Sequence, residues 1–221
     1  MNKDSLRFTF NLTHSYLEVA RAAAGPLPFV HSSGSLDHVL KEHGHNPLAN
    51  AILGIVSISV IYSYLAIEAH VNYQLYRLWE RRHNESVESK RFLQILGNEK
   101  SFNVYRGHPK VRELPSRVKT LCTLMGYQKP QEAVPKIWQE FMELSRAARH
   151  FLVHPVPDPK GVQNNMKRIL HDLPTGKWVD VATELIAFLY NQAGMEKPEW
   201  LIKNVLIRIE GIRVLPDEDI A

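Results

Sequence analysis

The strongest pattern along the chain is an apolar run at residues 48–67, LANAILGIVSISVIYSYLAI, twenty residues without a charge. It follows Pro47, and apolar positions recur beyond it as far as Arg82. Proline at a first helical position and a basic end at Glu80-Arg81-Arg82 predict one long helix over about 47–82. Twenty uncharged residues are enough to span a bilayer. Asn50, Gly54, Ser57, Ser59, Ser63 and two tyrosines within the run argue against a membrane span. The preferred reading is a central helix buried by its own fold or by a partner chain, with a membrane anchor as the competitor.

A second long helix is expected over about 131–150, where Val134, Ile137, Trp138, Phe141, Met142 and Leu144 form an apolar face. It ends where His154-Pro155-Val156-Pro157-Asp158-Pro159 cannot continue it. Shorter helices are expected within residues 1–24, with Asn11–Thr13 as the cap, around 36–42, and over 86–96, 114–125, 162–171 and 178–191. Residues 98–115 are polar and broken by Gly107, Pro109 and Pro115. Residues 200–214 read either as a strand or as a last helix. The fold class is therefore all-α, a helical bundle around two long helices (about 47–82 and 131–150). Three parts are expected: an N-terminal helical extension (1–46), a bundle over 47–192 with an insertion at about 84–128, and a C-terminal extension (193–221), short β or helical.

Composition changes this picture little. With 44% apolar and 23% charged residues, the 221-residue chain is an ordinary globular domain. The single cysteine, Cys122, lies in an apolar run and reads as a buried thiol. One cysteine forms no internal disulfide, and the first residues lack an apolar leader, so the cytoplasm is the expected compartment. A net charge of +4 is compatible with a polyanion such as RNA without requiring one. His38, His43 and His45 match no strong zinc pattern, so no metal is expected. Phosphate-loop, dinucleotide and nucleophile-elbow motifs are absent, which weakens nucleotide-hydrolase, oxidoreductase and α/β-hydrolase readings.

The segment richest in chemistry is Arg149-His150-Phe151-Leu152-Val153-His154. Arginine offers a planar fork to phosphate, and histidine transfers protons near neutral pH. The plain alternative is a set of cations suited to a helix C-terminus. Spacing alone does not decide. With 14 arginines and 11 histidines, about two such pairs arise by chance, and Arg77 to His83 is another. The tyrosines at 62, 64, 73 and 76 read as packing.

Two segments in order add context. Ala66-Ile67-Glu68-Ala69-His70-Val71-Asn72, with His70 where an aromatic is more usual, is followed much later by the Arg149–His154 run and Pro155. Together they resemble the HEPN superfamily (higher eukaryotes and prokaryotes nucleotide-binding domain), over roughly residues 47–192. The resemblance implies a helical bundle and a metal-independent endoribonuclease leaving 2′,3′-cyclic phosphate ends. It implies no cofactor, an RNA substrate and a homodimer with both motifs in one cleft. A bacterial toxin–antitoxin or defence role, with an antitoxin or regulatory partner, is also implied. On it, Arg149 and His154 are the catalytic residues, with His150, Glu68 and Asn72 in support. Other members of the family are non-catalytic nucleotide- or RNA-binding or interaction modules, and that alternative is carried forward.

Overall fold

A computed structural model describes residues 3–25, 47–153 and 177–202, with side chains at 12–25, 54–103, 105, 108–148 and 177–202. Among these residues the chain is all-α and contains no strand. The helices are α1 (Lys3–Ala24), α2 (Pro47–Glu80), α3 (Val87–Leu96), α4 (Phe102–Gly107), α5 (Leu114–Met125), α6 (Pro130–Ala133), α7 (Pro135–Val153), α8 (Lys177–Gln192) and α9 (Glu199–Ile202).

Helix α2 is the axis of the bundle because its apolar residues are spread nearly evenly around it. A helix apolar on all sides must be surrounded. Helices α1, α3, α5, α7 and α8 all pack on it. Val56, Val60, Ala66, Ile67 and Val71 are fully buried, and Leu75 and Leu78 nearly so. By length and composition, α2 is the one candidate bilayer-crossing helix among the described residues, over Gly54–Glu80. A core helix passes the same test, and the helices packed on α2 give it that place here.

Helix α1 belongs to the same core. Its Leu17, Ala20 and Ala24 join the cluster around α2, and Tyr16 meets Tyr62 edge-on at 5.7 Å. The helix begins at Lys3, well before the cap expected at Asn11–Thr13. Thr13 instead lies inside the helix and is buried, at 2% exposure. Residues 84–128, expected as an insertion, supply Phe92, Leu96, Tyr105, Leu121 and Leu124 to that cluster.

Local chemistry accounts for the boundaries. Ser86 caps α3 by accepting a hydrogen bond from the Ser89 amide at 3.2 Å. Helix α5 starts with Pro115 in its first turn and stops at Gly126, which has φ +72°. A Cβ there would sit 2.8 Å from an Arg91 nitrogen. The helix expected unbroken from residue 131 is divided at Val134, whose φ is −137° because Pro135 follows. Its longer part, α7, runs on to Val153. Helix α2 stops at Glu80, two residues short of expectation. Arg82 then folds back to donate to the Trp79 carbonyl at 2.8 Å and to cover its ring at 4.5 Å. Of residues 200–214, those up to Ile202 are helical and the remainder lie outside the described residues, as do the helices expected around 36–42 and 162–171.

Cys122 and His70 are among the titratable groups in the core. Burial pushes the Cys122 thiol up to about 12. His70, 3% exposed, tilts against the Tyr190 ring at 5.2 Å, and burial lowers it to about 4. The folded chain thus holds His70 neutral where the unfolded chain would protonate it, below about pH 6.5. Stability is expected to fall as pH drops from about 6.5, by about 3 kcal/mol at pH 4 from this residue alone. Urea unfolding across that range should show a shallower loss for His70→Gln than for the wild type. Parallel curves would mean that carboxylates carry the acid sensitivity.

Candidate functional site

Helix α5 carries an apolar stripe of Leu114, Val118, Leu121 and Leu124 with Arg117 set into it. Placed on that stripe, Arg117 is only 8% exposed and must find acceptors inside the protein. It finds four. Its Nη1 donates to Glu68 Oε1 at 2.5 Å and to Asn72 Oδ1 at 3.0 Å. Its Nε donates to the Val111 carbonyl at 2.7 Å, and its Nη2 to the Arg112 carbonyl at 3.2 Å. Glu68 and Asn72 are four residues apart on α2, one turn of the same face.

This is a closed arrangement. Four of the five guanidinium N–H groups are taken by protein acceptors and the residue is almost buried, which leaves little of it for a phosphate. A hollow beside it, lined by Asn72, Leu75, Phe92, Leu96 and Tyr105, has a volume of about 10 Å³. That is room for about one water molecule. The site braces α5 and the chain before it against α2.

The motif expected to be catalytic begins at the other end of α7. Phe141, Leu144, Ser145 and Ala148 form the buried face of that helix. Trp138, near its start, lies under the Lys119 ammonium at 5.3 Å, two residues along α5 from Arg117. Arg149 is eleven residues further along the helix, about 16 Å by the rise of an α-helix. The backbone of Arg149 and His150 is helical; their side chains, and the whole of His154, lie outside the described residues. The structure thus brings Glu68 and Asn72 together on Arg117, which is their described partner.

A second group of charges gathers where α7, α8 and α1 meet. Lys177 lies 3.7 Å from Glu143 and 4.0 Å from Glu140. The Asp180 carboxyl is raised, first by desolvation and also by Glu140, while Arg21 opposes the shift. Arg21 itself pairs with Glu18 at 2.8 Å. Among the described residues, no three of His, Cys, Asp and Glu come together as a metal-binding set. His38, His43 and His45 lie outside the described residues.

Arg117 was not among the site residues expected from the sequence. Its signal was available, since Leu114, Arg117, Leu121 and Leu124 are spaced 3, 4 and 3 apart. That spacing places a cation on a core-facing stripe. Glu68 and Asn72 on another helix supply the acceptors it requires.

The chain matches no family model, no curated protein and no solved structure.

Arg117 is buried and Glu68 half-buried, so breaking their pair by removing one partner leaves a poorly compensated charge. Arg117→Ala is expected to cost about 3 kcal/mol or more in a urea titration. Glu68→Gln, which keeps an acceptor for the guanidinium, should cost clearly less. Equal losses would show that the Glu68–Arg117 charge pair carries the stability, whereas no loss for Glu68→Gln would assign it to packing of the arginine stem and its other hydrogen bonds.

Proposed function

We propose that the chain is a metal-independent endoribonuclease of the HEPN type, acting as a homodimer in the cytoplasm. Its biological setting is a bacterial toxin–antitoxin or defence system, with an antitoxin or regulatory partner. The observation that carries this reading is the run Arg149-His150-Phe151-Leu152-Val153-His154. It begins on the last turns of a long helix packed on the helix that bears Glu68 and Asn72. An all-α bundle with these two segments on adjacent helices is in keeping with the family resemblance.

In this mechanism His154 takes the proton from an RNA 2′-hydroxyl. The freed oxygen attacks the adjacent phosphorus, and the 5′-oxygen of the next nucleotide leaves with a proton from the partner subunit's His154 in the shared cleft. Arg149 binds the phosphate and stabilises the charge that develops on it. His150 orients this pair. Glu68 and Asn72 support the site from α2, through the brace they form with Arg117. The products are a 2′,3′-cyclic phosphate and a 5′-hydroxyl end, and no metal or cofactor takes part.

A second reading is a HEPN-like module that binds RNA or a nucleotide without turning it over: the brace that Arg117 forms with Glu68 and Asn72 is structural and serves such a module equally well.

Purified wild-type protein in EDTA is expected to cleave a defined single-stranded RNA and leave cyclic phosphate ends. His154→Ala and Arg149→Ala should each lose about a hundredfold or more, with unchanged far-ultraviolet dichroism. Equal cleavage by wild type and His154→Ala would sink the assignment. Binding without cleavage by a folded dimer would establish the non-catalytic module.

A further inference from the structure

The segment over residues 97–113 is held to the body of the protein in an unusual way. It leaves α3 at Gly97, which has φ +81°. Its regular structure is limited to the six residues of α4, followed by turn bonds from the His108 amide to the Tyr105 carbonyl and from the Val111 amide to the His108 carbonyl. Backbone bonds tie it to its neighbours only at its two ends, from the Gly97 amide to the Leu93 carbonyl and from the Arg117 amide to the Glu113 carbonyl, and between them the described bonds to the rest of the protein run from side chains to backbone. The Tyr105 hydroxyl accepts from the Glu99 amide at 2.7 Å and donates to the Gly97 carbonyl at 3.1 Å. The Trp79 indole donates to the Glu99 carbonyl at 3.2 Å. At the far end, the Thr120 hydroxyl donates to the Lys110 carbonyl at 2.7 Å. Arg117 holds the carbonyls of Val111 and Arg112.

Beneath the segment lies the small hollow lined by Leu75, Phe92 and Leu96. The segment covers it with two rings. Tyr105 stands edge-on to Phe92 at 5.2 Å, and Phe102 edge-on to Tyr76 at 5.3 Å. Under-packed space lies directly below a stretch of chain that depends on borrowed hydrogen bonds.

We propose that residues 97–113 are a strap that opens as one unit over this hollow, latched at one end by Tyr105 and at the other by Arg117 and Thr120. A segment with few bonds of its own, tied at both ends by side chains, gains little by staying half attached. Releasing either latch frees the two rings from the hollow and with them the opposite end. Opening uncovers Leu75, Phe92 and Leu96 while α2, α5 and α8 keep their own ladders, so it proceeds below the free energy of global unfolding.

Native-state amide hydrogen exchange on the full chain tests this through effects that cross the strap. In the wild type the amides of Glu99, His108 and Val111 should open with a common free energy, faster than the α8 amides of residues 185–189. Thr120→Val removes the hydroxyl at Lys110 and leaves the partner of the Glu99 amide in place. It should nonetheless speed exchange at Glu99 by about fivefold or more, the loss of one hydrogen bond. Tyr105→Phe should do the same at Val111, whose amide bonds to neither altered hydroxyl. Neither variant should move the α8 amides by more than about twofold. Effects confined to the altered end would overturn the proposal, because the two latches would then release separately. Strap amides exchanging as slowly as those of α8 would also overturn it, because the segment would then open only with the whole protein.

Discussion

The structure depends on one constraint: a 34-residue helix with no polar side to show to water. Most surface helices solve the problem of burial with a single apolar stripe. Helix α2 cannot, so the chain must furnish neighbours around it, and it draws them from both sides of α2 in sequence. Helix α1 precedes it, α3 and α5 follow at once, and α7 and α8 arrive later. Each of these is amphipathic and turns its apolar face to α2 or to the cluster around it. The hydrophobic effect is proportional to area and indifferent to direction. It gathers the helices but does not fix their register along α2.

Direction comes from the few polar groups inside. Arg117 specifies where α5 lies along α2, because its fork reaches Glu68 and Asn72 only at one height. His70 against Tyr190 does the same in a weaker way for α8. A buried ion pair contributes modestly to stability when set against a well-packed apolar replacement. Its value here lies in the register it selects among apolar arrangements that are close in energy.

How much of this was legible depended on how local each signal was. Helix α5 is readable to the residue because Leu114-Pro115 opens it and Gly126 closes it. Helix α8 is equally plain from its dense apolar pattern. The break at Pro135 and the early start of α1 are local too, but were outweighed by amphipathic periodicity and by an attractive cap sequence. In α1 the threonine taken for a cap faces the core, a choice made by the partner helix. Helix α4 has only six residues and too short a period to register. Among its described side chains, the aromatic pair Phe102 and Tyr105 marks its place in the core. In the candidate site, Glu68 and Asn72 were picked out by their positions in a resemblance. Their physical partner, Arg117, is 49 and 45 residues away in sequence and was passed over. Side chains that meet across such separations leave no periodic mark. Arg149 is helical as expected, whereas His154 lies outside the described residues.

The contacts of Arg21 carry a consequence for the chain as it is made. Its guanidinium donates to the carbonyl of Trp200 at 2.7 Å and to that of Leu201 at 3.3 Å, while His14 stacks on the Trp200 ring at 5.3 Å. Helix α1 therefore cannot complete its contacts until residues some 180 positions later have emerged from the ribosome. At usual rates of synthesis that interval is roughly 10–40 s. For most of it, one edge of α1 stands uncovered on a nascent chain whose most apolar described helix has already appeared. Such an interval is long enough for a chaperone to bind and release many times, so the time at which this fold closes is set by translation.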